Sequence, residues 1–411
     1  MGKFKVHSLI DKVYKRLNLY IAWEKVKARK GAGGVDRVSL ERFERNRDFN
    51  LEEIHRLLYE DKYQPQPVRR VWIPKPNGGI RPLGIPTIRD RVVQQALLNR
   101  MEKIFEPKFL DCSFGFRPNR SCQEAIRKVE AYLKNGCHWV VEVDIQEFFD
   151  IVDHELVIDL VNEEISDGKV LRLIRKFLKS GVMEEMKVSY QTSGTPQGGV
   201  ISPLLANVYL HPFDDEMTRE GFRVVRFADD ILIMCRSKEE AERGLAKAKE
   251  ILEERLKLKL NPEKTRIANP VSSFEFLGYV FRLGYKYPRY RSQDAFKGKI
   301  RWATRRQQPK LMSQIIKEVN PIIRGWGNYF VYGNCWRLFS ELDYWIRWRI
   351  RAFKAKKWAR TETLKKYPPT RLKQTGLISL VELLQLKQLK LSPGTGQRFR
   401  KAEYGKSVCS V

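Results

Sequence analysis

The spacing of hydrophobic and polar positions along the chain predicts a mixture of helices and strands. β-branched and aromatic runs predict a hairpin around residues 76–79, a strand over residues 138–145 and two short strands that meet near Ala228 and Asp229. Apolar residues at helical spacing predict helices over residues 7–30, 51–60, 89–106 and 121–134. Because strands and helices are interspersed without a regular βαβ repeat, the pattern favours the α+β class.

Two further helices are predicted from their starting residues and their periodicity. Ser202 is expected to be the N-cap of a helix that follows a glycine-rich loop, with Pro203 at its first position. Residues 344–360 carry apolar side chains at helical spacing inside a ring of Arg and Lys, namely Ile346, Ile350 and Phe353. This second helix is therefore expected to be amphipathic and strongly basic.

The charge of the chain indicates a polyanionic partner. Its 411 residues include 78 Lys and Arg against 49 Asp and Glu, a formal net charge of +29, which is more than solubility requires. From residue 281 onward there are 30 Lys and Arg and 7 Asp and Glu, so most of the excess lies in the last third. The six cysteines are scattered, without a CxxC pair or a secretory leader. No window approaches the roughly 18 apolar residues of a membrane span, and we expect a cytoplasmic protein with free thiols and no membrane partner.

The stretch RFADDILIM, residues 226–234, places two adjacent acids between apolar runs. A turn near Ala228 would let Asp229 and Asp230 share one ligand, although neighbouring residues on a strand point to opposite faces. Asp229 is expected to point more fully into the site. Asp144, which ends the strand WVVEVD, is a third acid expected at the same edge of the sheet. Three carboxylates repel one another unless cations hold them, and carboxylate oxygens are the ligands that Mg²⁺ prefers. Alternatively, these acids form turns or pair with arginines.

Several blocks of the chain resemble the reverse transcriptases of bacterial group II introns. The family's order and spacing are matched by VVEVDIQEFFDIVDH, GTPQGGVISPLLANVYLHPFD, RFADDILI, LNPEKT and FEFLGY. Upstream, IPKPNGGIRPLGIPTIRDRVVQQALL and CSFGFRPNRSCQEAI resemble its fingers blocks, and IIRGWGNYF resembles its maturase or thumb region. The resemblance covers roughly residues 20–350, and this many blocks in register leave little room for coincidence.

The resemblance implies a right-hand polymerase with fingers, a palm built on an antiparallel sheet, and a helical thumb. The expected divisions are an N-terminal extension with fingers over residues 1–110, a palm with part of the fingers over 111–290, a thumb or maturase domain over 291–365 and a basic tail over 366–411. The tail could be a reduced DNA-binding segment. We expect the chain to lack the HNH endonuclease of larger family members.

The same resemblance assigns metal binding and catalysis to Asp144, Asp229 and Asp230. Two Mg²⁺ ions, with Mn²⁺ as a substitute, would lie roughly 3.5 to 4 Å apart and promote an in-line displacement. Lys75 and Arg81, on either side of the predicted hairpin turn, would bind the incoming triphosphate, which an arginine can contact bidentately. Alternatively, Lys75 and Arg81 are solvated charges on an edge hairpin.

Phe149 and Gln197 complete the nucleotide-binding residues that the resemblance implies. Phe149 corresponds to the bulky side chain that excludes a ribose 2′-hydroxyl, which an RNA-dependent RNA polymerase would instead recognise with a polar group; the alternative is a core aromatic beside Phe148. Gln197 resembles the residue that contacts the nascent base pair, and the glycines around it let the backbone approach closely. Phe227 departs from the family, which usually has tyrosine before Ala-Asp-Asp, and this change could alter fidelity or processivity. Lys264 lies in a matching block without an assigned role.

The expected function is RNA-directed DNA synthesis by a bacterial group II intron reverse transcriptase that also assists splicing as a maturase. The implied partners are the intron RNA, an RNA template with a DNA primer, dNTPs and target DNA, bound in a salt-dependent manner by the basic, aromatic-rich C-terminal third. Two alternatives stay open: an RNA-binding splicing factor with a relic polymerase site, and a related reverse transcriptase recruited to a defence system. A basic amphipathic helix can also mark a membrane-surface or calmodulin-target segment, and individual tryptophans can be core residues.

Overall fold

The computed structural model describes residues 5–74, 79–184, 187–189, 198–355, 365 and 367–391. The chain divides into two compact units, residues 1–284 and residues 285–411. The finer division into fingers, palm, thumb and tail stays a prediction. Within the described ranges, no helix has the length and apolar character needed to cross a membrane.

Unit 1 combines helices with short strands. Its helices α1–α11 span Ile10–Val13, Arg16–Arg29, Leu40–Arg45, Arg47–Tyr59, Ile88–Phe105, Cys122–Lys134, Phe148–Ile151, His154–Asn162, Gly168–Leu178, Ser202–Arg219 and Lys238–Lys249. Its strands β1–β10 span Val68–Pro74, Ile80–Ile85, Trp139–Asp144, Val182–Glu184, Lys187–Ser189, Arg223–Phe227, Asp230–Cys235, Arg266–Ala268, Phe274–Phe276 and Tyr279–Arg282. A 3₁₀ turn, Glu106–Lys108, follows α5, and a π-helical segment, Glu250–Arg255, continues α11.

Unit 2 is helical after one short strand. Strand β11 spans Tyr285–Pro288, and helices α12–α16 span Tyr290–Ala303, Met312–Phe330, Trp336–Ala355, Pro369–Gln374 and Leu380–Leu391. The basic helix predicted to begin at residue 344 begins earlier, at Trp336, and residues 356–360 lie outside the described part of the chain. Its predicted apolar positions Ile346, Ile350 and Phe353 are buried.

The central sheet of unit 1 has the strand order β6-β7-β3-β8, with every neighbouring pair antiparallel. One face of this sheet joins the large hydrophobic core through Val141, Val143, Ile231 and Ile233. A second sheet has the order β2-β1-β4-β5, and β9 pairs with β10 in a separate hairpin. The predicted α+β class is confirmed, with the antiparallel sheet that the resemblance implies for the palm of a right-hand polymerase.

The predicted helices are present with shifted ends. The helix expected over residues 7–30 is broken between α1 and α2, because Lys15, with φ −49° and ψ 129°, leaves the helical conformation. The Asn18 amide donates to the Val13 carbonyl at 2.8 Å and thereby satisfies an acceptor at the break. Helices α8 and α9, by contrast, were not predicted from the sequence.

The predicted cap of α10 was wrong by one position. Ile201 is the N-cap residue, and Ser202 is the first helical residue. The Leu204 and Leu205 nitrogens donate to the Ile201 carbonyl oxygen at 3.0 and 3.2 Å, so the helix starts one residue earlier than predicted. Just before it, Gln94 Oε1 of α5 accepts hydrogen bonds from the backbone N–H groups of Val200 at 2.6 Å and Ile201 at 3.4 Å.

Candidate active site

The two adjacent acids lie on a tight hairpin between β6 and β7. Phe227 is directly opposite Asp230, so Ala228 and Asp229 alone connect the strands. Ala228 has φ +58°, a left-handed conformation that glycine adopts more readily than alanine. We call Ala228 and Asp229 the catalytic turn, after the role predicted for Asp229; the two strands predicted to meet there are confirmed.

Strand β3 brings Asp144 to the same edge of the sheet. Asp144 is directly opposite Asp230 in the antiparallel register, so their side chains share a face, with Cβ atoms of such pairs about 4.5–5.5 Å apart. This face is opposite to the one on which Val143 and Ile231 enter the core. Asp144 and Asp229 are half-buried, and Asp230 is exposed. The greater contribution expected of Asp229 stays a prediction.

The LNPEKT segment crosses the end of β3 and supplies a cation. The Asp144 carbonyl accepts a hydrogen bond from the Asn261 nitrogen at 2.8 Å, and the Asp144 nitrogen donates to Thr265 Oγ1 at 3.3 Å. These contacts place the Lys264 ammonium 3.1 Å from Asp144 Oδ2. Lys264 is thus a site residue to which sequence reasoning gave no role, and its membership of a matching block was the only signal for it.

The donor chemistry at this edge suits a hard divalent cation. Two carboxylates oppose each other across β3 and β7, and an ammonium group already neutralises one of them; oxygen ligands of this kind are those that Mg²⁺ and Mn²⁺ prefer. Within the described ranges, no group of three or more His, Cys, Asp or Glu side chains is arranged to hold a metal ion. The three-carboxylate cluster therefore stays a prediction, and the register supplies the pair Asp144 and Asp230.

Phe149 lies at the surface side of an aromatic pair in α7. Its ring contacts that of Phe148 edge to face, with centroids 5.2 Å apart. Phe148 is buried in the core, whereas Phe149 is half-buried against it. Phe148 therefore occupies the core position of the pair, and the steric role of Phe149 stays a prediction.

The other nucleotide-binding residues are only partly described. Lys75 and Gln197 lie outside the described residues, and Arg81 is described as a backbone position of β2. Gly198 has φ +117°, and its backbone lies so close to the Gly84 carbonyl oxygen that an added Cβ would be 2.3 Å from it. The backbone of Gly198 thus contacts β2, while the roles of these three side chains stay predictions.

A buried ion pair that the sequence analysis missed lies behind the catalytic turn. Arg226 and Asp214 have no exposed side-chain surface and are 2.5 Å apart. Burial would lower the pKa of the Arg226 guanidinium, but Asp214, with further contributions from Cys112 and Asp229, raises it. Because a guanidinium stays protonated in proteins, Arg226 is a buried cation. The available signal was a charged residue on the same strand face as the buried Val224.

Comparisons with known proteins place this site in a family. A family model described as "Reverse transcriptase (RNA-dependent DNA polymerase)" matches residues 73–281, half of the chain. The chain belongs to the reverse transcriptase family. A second model, "Group II intron, maturase-specific domain", matches residues 293–368 of this reverse transcriptase. The predicted RNA-directed DNA polymerase and maturase functions are thereby confirmed.

Two curated relatives share much of the sequence. Protein YkfC of Escherichia coli (strain K12) is 37% identical over 295 residues, which cover 62% of this reverse transcriptase and 77% of YkfC. The group II intron-encoded protein LtrA of Lactococcus lactis subsp. cremoris is 32% identical over 349 residues, which cover 67% of this chain and 58% of LtrA. A solved chain of a "Partial Cas6-RT-Cas1--Cas2 complex" is 22% identical with a TM-score of 0.39, over 60% of this chain and 42% of that chain. The assignment rests on the family models and the curated relatives.

Proposed function

We propose that this reverse transcriptase extends a DNA primer on an RNA template at the sheet edge that carries Asp144, Asp229 and Asp230. The observation that supports this most strongly is the direct opposition of Asp144 and Asp230 beside the catalytic turn. Adjacent carboxylates of like charge need cations between them, and nucleotidyl transfer needs such cations. The half-buried and exposed positions of these acids leave them open to substrate.

The acids are proposed to hold two Mg²⁺ ions, for which Mn²⁺ can substitute. When bound, such ions activate an attacking hydroxyl and stabilise a leaving pyrophosphate oxygen. Asp144 and Asp229 are the main ligands and Asp230 assists. The contact between Lys264 and Asp144 is partly exposed to water. The ammonium group can therefore move away from Oδ2 without leaving an unpaired charge in a buried position.

Selection of dNTPs is assigned to four residues. Phe149 packs beneath the sugar and excludes a 2′-hydroxyl, and its half-buried ring is compatible with that role. Lys75 and Arg81 neutralise the triphosphate. Gln197 contacts the nascent base pair in the loop whose neighbour Gly198 lies against β2.

Unit 2 is proposed to bind intron RNA and the template–primer duplex, and to contact target DNA. Its α12 helix exposes 57% of Trp302, with the Arg305 guanidinium 5.9 Å from the ring centroid, a combination that suits stacking on bases next to phosphates. Since YkfC and LtrA come from bacteria, the proposed location is the bacterial cytoplasm.

Extension of a DNA primer on an RNA template by the purified protein tests the polymerase proposal. The unmodified protein should extend the primer with dNTPs and a divalent cation, Asp229→Ala should not, and Asp215→Ala, an acid of α10 that pairs with Arg219, should match the unmodified protein. Phe149→Ala should gain incorporation of ribonucleotides. Absence of extension by the unmodified protein would contradict the proposal and favour a splicing factor with a relic polymerase site.

A further inference from the structure

All the N–H groups of the Arg226 guanidinium are directed at acceptors. Nε and Nη2 donate to the two carboxylate oxygens of Asp214 at 2.8 and 2.5 Å, and Nη2 also donates to Ser113 Oγ at 2.7 Å. Nη1 donates to Asn207 Oδ1 at 3.0 Å and to the Ala228 carbonyl oxygen at 3.1 Å. A guanidinium has five donors in a rigid plane, so these five contacts fix both its position and its orientation.

Further contacts connect neighbours of the Arg226 guanidinium to the catalytic turn. Asn207 Nδ2 donates to the Gly115 carbonyl oxygen at 2.8 Å. Gly115 lies against the turn itself, since an added Cβ would be 2.3 Å from the Ala228 nitrogen. The Phe114 nitrogen donates to the Arg226 carbonyl oxygen at 2.9 Å. Residues of α10, of the loop before α6 and of β6 therefore all converge on one turn.

The contact with Ala228 is the one that reaches the acids. Its carbonyl oxygen belongs to the planar peptide group that ends at the Asp229 nitrogen. A hydrogen bond from Nη1 to this oxygen restricts the rotation of that peptide group. It also supports an alanine that has a positive φ without the freedom of glycine.

We propose that Arg226 is a positioning residue: by fixing the Ala228 carbonyl, it sets the direction in which Asp229 projects. Arg226 is fully buried and does not contact substrate. Asp214 and Asn207 act through it, since their hydrogen bonds hold its guanidinium in place. This inference rests on the proposed function, because only a catalytic Asp229 makes the direction of its side chain matter for turnover.

The first test compares Arg226→Lys with a matched control on the same strand. Lysine keeps the positive charge, but its compact ammonium group cannot reproduce the planar array of five donors that the guanidinium provides. The control is Arg223→Lys, since Arg223 forms a partly exposed ion pair with Glu240 at 2.9 Å away from the turn. Arg226→Lys should lower kcat and weaken Mn²⁺ binding to the free protein, each by about 10-fold or more, with affinity for template–primer unchanged. Arg223→Lys should change none of the three.

The second test is a coupling measurement with Ala228→Gly. Glycine adopts a positive φ without strain, so a turn with glycine depends less on the Arg226 contact. The loss of kcat caused by Arg226→Lys should therefore be smaller in the Ala228→Gly background, whereas that caused by Arg223→Lys should not depend on the background. If Arg226→Lys lowers kcat by the same factor with alanine and with glycine at position 228, the proposal is overturned.

These outcomes separate the inference from the proposed function. If Asp229→Ala extends primers normally, the proposed function fails. If Asp229→Ala is inactive but Arg226→Lys keeps both kcat and Mn²⁺ affinity, the positioning role fails alone. Should Arg226→Lys be unfolded at the assay temperature, Ser113→Ala, which removes one hydrogen bond of the guanidinium, replaces it. A reduced kcat with unchanged template–primer affinity would support the role, and an unchanged kcat would overturn it.

Discussion

Two ion pairs on opposite sides of the catalytic turn differ in their exposure to water. In front, Lys264 and Asp144 are 3.1 Å apart, with 66% and 32% of their side chains exposed. Behind, Arg226 and Asp214 are 2.5 Å apart with no exposed surface. Exposed pairs contribute about 0–1 kcal/mol, whereas removal of one partner from a buried pair costs about 3–5 kcal/mol. The front pair can therefore exchange its cation, and the rear pair is a fixed part of the fold.

Strand geometry explains why both pairs lie beside the same turn although they are distant in sequence. Arg226 lies on the sheet face that enters the core, beside Val224, whereas Asp144 and Asp230 lie on the other face, where the strands end. The catalytic turn thus joins a surface that carries two opposed carboxylates to a charged group that water cannot reach.

The largest expected effect comes from breaking the rear pair. Asp214→Ala should lower the free energy of unfolding by about 3–5 kcal/mol, because it leaves the Arg226 cation buried without its partner. Asp144→Ala should change that free energy by less than about 1 kcal/mol, because the pair that it breaks is exposed. Denaturant unfolding measures both free energies. Equal decreases in the two variants would contradict the distinction between the exposed pair and the buried pair.

A smaller effect is expected from crowding the turn. In Gly115→Ala the new Cβ meets the Ala228 backbone nitrogen, which cannot move as a side chain would, so the unfolding free energy should fall by about 1–3 kcal/mol and primer extension should slow. The matched change is Gly298→Ala in α12, where an added Cβ has no atom within 4 Å; it should be neutral or stabilise by about 0.5–1 kcal/mol. Normal extension by Gly115→Ala would show that the turn tolerates displacement.

Removal of the front cation should affect metal binding more than stability. Lys264→Ala takes away a positive charge that competes for Asp144 Oδ2, so Mn²⁺ should bind the free protein more tightly, while the unfolding free energy changes by less than about 1 kcal/mol. Calorimetric titration with Mn²⁺ checks the first value and denaturant unfolding the second. Weaker Mn²⁺ binding would mean that Lys264 supports the metal site instead of competing with it.

The smallest expected effect is that of salt on the front pair. Between 0.1 and 1 M ionic strength the Debye length falls from about 10 to about 3 Å. The stability difference between the unmodified protein and Lys264→Ala should therefore shrink, and the difference for Asp214→Ala should persist. If the stability difference between the unmodified protein and Asp214→Ala disappeared at high salt, this would indicate that water reaches Arg226.

The sequence allowed prediction of the fold class, the hairpin and the meeting of Asp144 and Asp230 at one sheet edge, because these depend on local periodicity and on contiguous blocks. The contacts of Lys264 with Asp144 and of Gln94 with Val200 were not predictable, since 120 and 106 residues separate the partners. Arg226 belongs to the same quoted block as Asp229, but the block does not reveal which of its residues turn inward. That information comes from the strand register and from helix α10.

Titration of the free protein with Mn²⁺, followed by electron paramagnetic resonance, tests the central claim that Asp144 and Asp229 share a metal site at the sheet edge. The dissociation constant should rise by about 10-fold or more in both Asp144→Asn and Asp229→Asn, and it should be unchanged in Asp215→Asn. Equal affinity in the unmodified protein and in the two site variants would contradict the account.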